Sequence, residues 1–222
     1  MKIIGHRGAA GLALENSRSA FVAAIKYHVD MVELDVRLTA DDHLVVTHDS
    51  VTNRLSDDKR VIRKEKLATL QAIELKGGEH LLSLDEAFDV IGTIPVLIEL
   101  KDPGSIDELL LVLGRHPRAV YSITSFRQEE LRIIRRMLPE APIYAAEHFA
   151  PVAIIDSARK LHATGISLNK WLMNPITYYM ARHYHLELNL YSVNSPKLAR
   201  VLALLYPGIN IMTDHPERFR SR

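Results

Sequence analysis

Residues 33–49, Glu33-Leu-Asp35-Val-Arg37-Leu-Thr-Ala-Asp41-Asp42-His43-Leu-Val-Val-Thr47-His48-Asp49, combine acidic and imidazole side chains in a pattern that acid–base chemistry can use. Val32, Leu34, Val36 and Leu38 alternate with Glu33, Asp35 and Arg37, which is the periodicity of a strand. Residues 44–47 read as a returning strand, with Asp41-Asp42 as a two-residue turn. That turn predicts Asp35 opposite His48 on one face, their Cβ atoms roughly 5 Å apart. Glu33 lies two residues along on the same face. Core packing does not require two acids and a histidine on one side of a strand pair. Metal-assisted acid–base chemistry does.

Other charged groups fall at the ends of apolar runs. His6-Arg7-Gly8 follows the first run, and Glu99 and Lys101 share one face of Val-Leu-Ile-Glu-Leu-Lys. A buried strand carrying Glu and Lys is costly unless the charges meet partners. Glu33, Asp35 and Glu99 together would repel one another, and a divalent cation relieves that. All-oxygen ligation favours Mg²⁺ or Ca²⁺, with Zn²⁺ and a histidine ligand as the secondary alternative. Arg7 and Lys101 offer positive charge suited to phosphate oxygens. His6 and His48 can divide the work of general acid and general base. The set implies phosphoryl transfer or hydrolysis of a phosphodiester.

Singly, each of these residues has a plainer explanation: a polar strand end, a wet sheet face or a surface ion pair. Jointly those explanations must account for every one of them sitting at a strand end. A further group is divided between structure and substrate binding. Asn16 is a helix cap or a substrate contact. Glu15 reaches either the metal surroundings or a substrate hydroxyl. Tyr191 is a pocket aromatic or packing, and Asn194 orients another group or begins a turn. Trp171, the single tryptophan, is a pocket wall or a structural residue. His28, His43, His116, His148, His162, His183, His185 and His215 have no comparable setting and are expected at the surface or at helix ends.

The elements that must hold these groups alternate. Strands are predicted over 2–5, 31–38, 44–48, 95–101, 120–124, 142–145, 165–169, 186–194 and 209–214, mostly separated by helical patterns. Asn16 is a candidate cap for a helix with the stripe Phe21, Ala24, Ile25 and His28. Ser83-Leu-Asp-Glu86 and Ser105-Ile-Asp-Glu108 read as capping boxes, Ser125-Phe-Arg-Gln128 as a weaker one. Asn174-Pro175 and Ser195-Pro196 place a cap before proline. Strand–helix alternation implies a parallel sheet. Without the returning hairpin strand, eight units remain, which fits an α/β fold of the (β/α)₈ TIM-type barrel. A doubly wound sheet has the same local pattern. Residues 49–82 break the alternation and are expected to be a small insertion beside the site, within one domain spanning 1–222.

The chain has 222 residues and 47% hydrophobic content, enough for one large core. Its 28 basic and 27 acidic residues nearly cancel, so no global field favours nucleic acid or an anionic membrane. Cysteine is absent, which excludes disulfides and thiolate metal sites. Met-Lys-Ile-Ile-Gly-His at the start lacks a signal-peptide pattern, and no apolar stretch is long enough for stable membrane insertion. The expectation is a cytoplasmic protein whose oligomeric state is left open, a homodimer included.

In its ordered motifs the chain resembles the glycerophosphodiester phosphodiesterase family. The blocks are His6-Arg7-Gly8, Glu15-Asn16, Glu33-Leu-Asp35-Val, His48-Asp49, Ile98-Glu99-Leu-Lys101, Ser125-Phe126, Ser192-Val193-Asn194 and Met212-Thr213-Asp214 before Pro216. They run across almost the whole chain. The resemblance implies a (β/α)₈ barrel with a small insertion after His48-Asp49. It implies a divalent cation at Glu33, Asp35 and Glu99, His6 and His48 as the acid–base pair, and Arg7 and Lys101 on the phosphate. Its substrates would be deacylated phospholipid head groups, cleaved to glycerol 3-phosphate and an alcohol, by attack of water or of the neighbouring glycerol hydroxyl. Leu14, Ser17 and Tyr191 stand where the family usually has Pro, Thr and Trp, and Asn53-Arg54-Leu55 replaces a common Arg-Thr-Thr stretch. Those departures bear on substrate preference more than on chemistry. Two rival readings are a non-catalytic barrel that binds a phosphorylated metabolite and a relative cleaving lysophospholipids or sphingomyelin, like the secreted phospholipase D toxins. Retention of both histidines argues against the first. The lack of cysteine, of a signal peptide and of a clear apolar surface argues against the second.

Overall fold

The computed structural model describes residues 1–147 and 149–220; the surface position expected for His148 lies outside the described residues. Its strands are β1 (Ile3–Gly5), β2 (Met31–Leu38), β3 (Leu44–Val46), β4 (Val96–Leu100), β5 (Tyr121–Ser125), β6 (Ile143–Glu147), β7 (Gly165–Asn169), β8 (Glu187–Tyr191) and β9 (Asn210–Thr213). Closure decides between the two architectures left open by the alternation. β1 pairs in parallel with β9 through Ile3↔Ile211 and with β2 through Ile4↔Met31. With β4 to β9 following in order, eight parallel strands form a closed TIM-type barrel, and β3 adds an antiparallel strand to β2.

The helices are α1 (Arg18–Lys26), α2 (Leu67–Gln71), α3 (Leu84–Ile91), α4 (Ile106–Arg115), α5 (Gln128–Met137), α6 (Pro151–Lys160), α7 (Pro175–His183) and α8 (Pro196–Leu205). Strand residues alternate between two cores. Val32, Leu34, Val36, Ile98 and Leu100 pack outward against helix residues such as Phe21, Phe88 and Leu109. Each such side chain contributes about 1.5–3 kcal/mol on burial. Ile4, Leu97, Tyr144 and Met212 form a separate cluster. Their parity along the strands places it inside the barrel. That apolar plug closes the barrel beneath the polar residues above it.

Local signals are kept at some helix starts and shifted at others. Ser83 forms the expected capping box with Glu86, and Asn174 and Ser195 cap before proline. Ser105 stands at the N-cap of α4 without a side-chain capping bond; its hydroxyl donates to the Asp102 carbonyl instead. Ser125 lies two residues before the Arg127 cap of α5 and donates to the Leu100 carbonyl. Ser17, not Asn16, caps α1, accepting from the Ala20 amide. Asn16 has a left-handed φ of 56°, which turns its side chain towards β2.

The hairpin register is corrected by one residue. Val36 pairs with Val46 and Leu38 with Leu44, and the Thr39 amide donates to the His43 carbonyl at 2.9 Å. The loop therefore has three residues, 40–42, with Asp42 left-handed at φ 59°, rather than a two-residue turn. Asp35 faces Thr47, whose amide donates to the Asp35 carbonyl at 3.0 Å, and His48 lies just beyond. A one-residue slip would send His48 to the other face of a continuing strand. β3 instead ends at Val46, and the chain bends at His48.

Residues 49–82 carry short 3-10 turns at Thr52–Arg54, Ile62–Lys64 and Lys76–Gly78 besides α2. Leu55, Ile62, Leu70, Ile73, Leu75 and Leu81 gather around Val45 of β3 in a small apolar cluster. The segment is thereby clamped to the hairpin. Among the described residues no helix is long and apolar enough to cross a membrane.

Candidate active site

One cavity of about 230 Å³ opens at the C-terminal ends of the barrel strands and is lined by His6, Arg7, Glu33, His48, Glu99, Lys101 and Tyr191 among others. The turn after β1 explains how His6 and Arg7 reach it. Arg7 has φ 50° and Gly8 φ 83°. A Cβ on Gly8 would lie 2.7 Å from the Ala20 carbonyl carbon, so only glycine lets this turn rest on α1. The His6 amide donates to the Thr213 carbonyl at 2.9 Å, and the Arg7 amide to Glu33 Oε2 at 2.8 Å.

Each histidine is backed by a carboxylate. His6 Nδ1 lies 2.5 Å from Asp214 Oδ1, and His48 Nδ1 lies 2.7 Å from Asp49 Oδ1. With Nδ1 engaged, the Nε2 atom of each ring is the nitrogen left for chemistry. Asp214 is itself fixed: Asn194 Nδ2 donates to its Oδ2 at 2.6 Å, and its own amide donates to Asn194 Oδ1 at 2.9 Å. Arg37 Nε donates to the His48 carbonyl at 2.8 Å. Burial favours neutral imidazole at both rings. At His6 the Asp214 hydrogen bond and the Glu33 charge outweigh it and raise the pKa. At His48 burial, joined by the Lys101 charge, outweighs Asp35 and the pKa falls.

Glu33, Asp35 and Glu99 each offer one carboxylate oxygen within 4.8 Å of the others. Oxygens so spaced fit around a single ion at about 2.0–2.6 Å from each. Burial, then Asp35 and Glu99, pushes Glu33 up to about 7. Burial and Asp35 raise Glu99 as well. Burial opposes ionisation of Asp35 too, yet Lys101, Arg7 and His48 hold it down at about 2. Lys101 Nζ is 2.9 Å from Asp35 and also contacts Glu99; Arg7 Nε is 3.3 Å from Asp35. Burial and the neighbouring carboxylates both disfavour ionised Glu33, and a bound divalent cation would favour it.

The remaining expected residues divide. Tyr191 lines the cavity, stands edge-on to Phe126 and donates to the Glu147 carbonyl at 3.1 Å. Glu15 lies outside the cavity lining and accepts from Arg7 at 2.8 Å. Neither Asn16 nor Asn194 lines it. Asn16 donates to Asp35 Oδ2 at 2.9 Å and accepts from the Asp35 amide, while Asn194 holds Asp214 and Thr213. Both amides orient carboxylates. Trp171 is largely exposed after β7. Sequence reasoning gave no role to Asp214, although its Met-Thr-Asp block was visible, because its place beside His6 depends on β1–β9 pairing. Thr124 and Ser167 were also passed over. Their buried hydroxyls line the far side of the cavity without a hydrogen-bond partner among the described residues.

Comparison with known proteins gives a consistent result. A profile of the Glycerophosphoryl diester phosphodiesterase family matches residues 6–218. The glycerophosphodiester phosphodiesterase of Bacillus subtilis is 25% identical over 98% of this chain and 85% of its own. That of Caldanaerobacter subterraneus is 31% identical over 64% of each. Among solved structures, an Oleispira antarctica phosphodiesterase in complex with the product sn-glycerol-3-phosphate superposes with a TM-score of 0.92 at 24% identity, covering 98% of this chain and 94% of its own.

Proposed function

Because this chain belongs to the Glycerophosphoryl diester phosphodiesterase family and is a hydrolase of glycerophosphodiesters, we propose that it cleaves head-group diesters such as glycerophosphocholine and glycerophosphoethanolamine to glycerol 3-phosphate and an alcohol by two-histidine acid–base catalysis. The observation that carries this reading is the single cavity in which His6, Arg7, Glu33, His48, Glu99 and Lys101 meet.

Arg7 and Lys101 hold the phosphate oxygens and offset charge as it builds on phosphorus. His48, kept neutral near pH 7, accepts the proton of the attacking hydroxyl. His6, held towards its charged form by Asp214, donates a proton to the departing alkoxide. One P–O bond forms and one breaks, and the two protons balance. Glu33, Asp35 and Glu99 would hold one divalent cation, Mg²⁺ or Ca²⁺, which supplies a Lewis-acid charge to the phosphoryl group. Asn16 fixes Asp35 within that set.

A second reading, cleavage of a lysophospholipid, draws support from Phe149 and Trp171. These are exposed by 87% and 78% on the loops after β6 and β7, at the end of the barrel where the cavity opens.

The test is release of glycerol 3-phosphate from glycerophosphocholine and glycerophosphoethanolamine, and of choline from lysophosphatidylcholine in parallel, by the native chain, His6→Ala and His48→Ala with each of Mg²⁺, Ca²⁺, Mn²⁺ and Zn²⁺. Turnover by the native chain and its loss in both variants is the expected result. Full activity in either variant would remove that histidine from the mechanism. Saturable binding with no turnover under any metal would mark a binding barrel instead.

A further inference from the structure

Arg54 approaches the mouth of the barrel from the 49–82 segment, not from any barrel strand. Its two Nη atoms donate to the two Glu15 oxygens at 2.6 and 2.7 Å, and its Nε donates to Asp49 Oδ2 at 2.6 Å. Both carboxylates have a second task. Glu15 Oε1 also accepts from Arg7 Nη1 at 2.8 Å, and Asp49 Oδ1 meets His48 Nδ1 at 2.7 Å. A single guanidinium thus links the arm that carries Arg7 to the arm that carries His48.

We propose that Arg54 is a positioning residue for the reaction: it sets Arg7 through Glu15 and the His48 ring through Asp49. This rests on the roles given above to Arg7 and His48 and extends them to the 49–82 segment.

The chemistry suits arginine. Its planar fork meets one carboxylate with two parallel N–H groups while Nε serves another, whereas an ammonium is a point charge without that geometry. The anchor behind it is firm. Leu55, the next residue, is buried in the cluster around Val45. The Arg54 carbonyl accepts from Lys76 Nζ at 2.9 Å, and the Lys76 amide donates to the Leu55 carbonyl at 2.9 Å. The Arg54 side chain itself is 45% exposed, so its ion pairs add little to folding. What they add is geometry. Without Arg54, Glu15 keeps Arg7 as its partner but loses the fork that fixes its plane. Asp49 then keeps only His48, and carboxylate and ring can rotate together. Displacing a reacting group by about 1 Å costs up to about a hundredfold in rate.

The experiment compares Arg54→Ala, Arg54→Lys and His48→Ala with the native chain on glycerophosphocholine, measuring kcat, KM and thermal melting. A guanidinium titration of Arg54→Ala at millimolar, non-denaturing concentrations accompanies it. For Arg54→Ala the proposal expects kcat/KM lower by roughly tenfold to a hundredfold. KM should rise as Arg7 loosens, kcat should fall as His48 loosens, and the melting temperature should stay within about 2 °C. Arg54→Lys should recover only part, and guanidinium should restore activity to Arg54→Ala. Unchanged kcat and KM in Arg54→Ala would overturn the proposal. So would a loss that tracks melting and does not respond to guanidinium. If His48→Ala is inactive while Arg54→Ala is not, only the role of Arg54 falls. If His48→Ala is fully active, the reading of the site falls with it.

Discussion

Asp214→Asn isolates the contribution of the carboxylate behind His6. The substitution keeps size and removes charge. Asn194 Nδ2 donates to Asp214 Oδ2, so the new amide must present its oxygen there and its NH₂ to His6 Nδ1. A donor then faces the ring nitrogen that must carry a proton in the imidazolium. The charged form of His6 loses a hydrogen bond worth about 1.5–3 kcal/mol, or roughly 10- to 150-fold in any step that needs it. Burial, which lowers the His6 pKa, then acts with less opposition, so the limb of the pH–rate profile reporting His6 moves to lower pH. Stability follows a separate course. Asp214 is held at about 2 against an ordinary 3.8, burial raising it and His6 and Asn194 more than compensating. A depressed carboxylate stabilises the fold fully above its unfolded value of 3.8, and that contribution disappears as pH falls through about 2. The gap corresponds to about 2 kcal/mol, cut to about 1 kcal/mol by solvent at a half-buried group. The assay is kcat/KM against pH from about 5 to 9, together with urea unfolding at neutral pH and in acid. An unmoved limb with turnover within about twofold would refute the coupling of Asp214 to His6.

Two other substitutions have clear signs. In metal-free protein Glu33 is raised to about 7 by burial and Asp35, so the stability linked to its proton is complete below 4.5 and lost as pH rises through about 7. Glu33→Gln should therefore raise the melting temperature in chelator at pH 8 by roughly 2–6 °C while abolishing stabilisation by added Mg²⁺ or Ca²⁺; a melting temperature that falls in chelator contradicts the argument. Gly8→Ala puts a Cβ 2.7 Å from the Ala20 backbone at φ 83°. It should cost about 2 kcal/mol or more in urea unfolding, and a change below about 0.5 kcal/mol would show that the turn relaxes freely.

Much of this architecture is legible in the chain because each strand is a short apolar run closed by a helix start. The pattern of residues 95–101 yields Val96–Leu100 with Glu99 facing inward beside Lys101. What period alone does not carry is backbone at positive φ. Asp42 lengthens the hairpin loop and shifts its register, and Asn16 turns away from α1 to reach Asp35; neither is glycine, so neither announces its conformation. Partnerships across long separations are equally hidden. Asp214 meets His6 only because the barrel closes between the first and last strands. Arg54 meets Glu15 and Asp49 only because Val45 anchors the 49–82 segment to the hairpin. The individual residues are readable; their pairings depend on barrel closure and on the anchoring of the 49–82 segment.

The proposed chemistry requires a cation gathered by Glu33 and Asp35 of β2 and Glu99 of the adjacent β4. The most direct test strips the protein with chelator, restores Mg²⁺ or Ca²⁺, and follows glycerol 3-phosphate release from glycerophosphocholine for the native chain beside Glu99→Gln. Release should stop with chelator, return with the cation in the native chain, and stay absent in Glu99→Gln. Undiminished release in chelator, or native turnover in Glu99→Gln, would contradict that requirement.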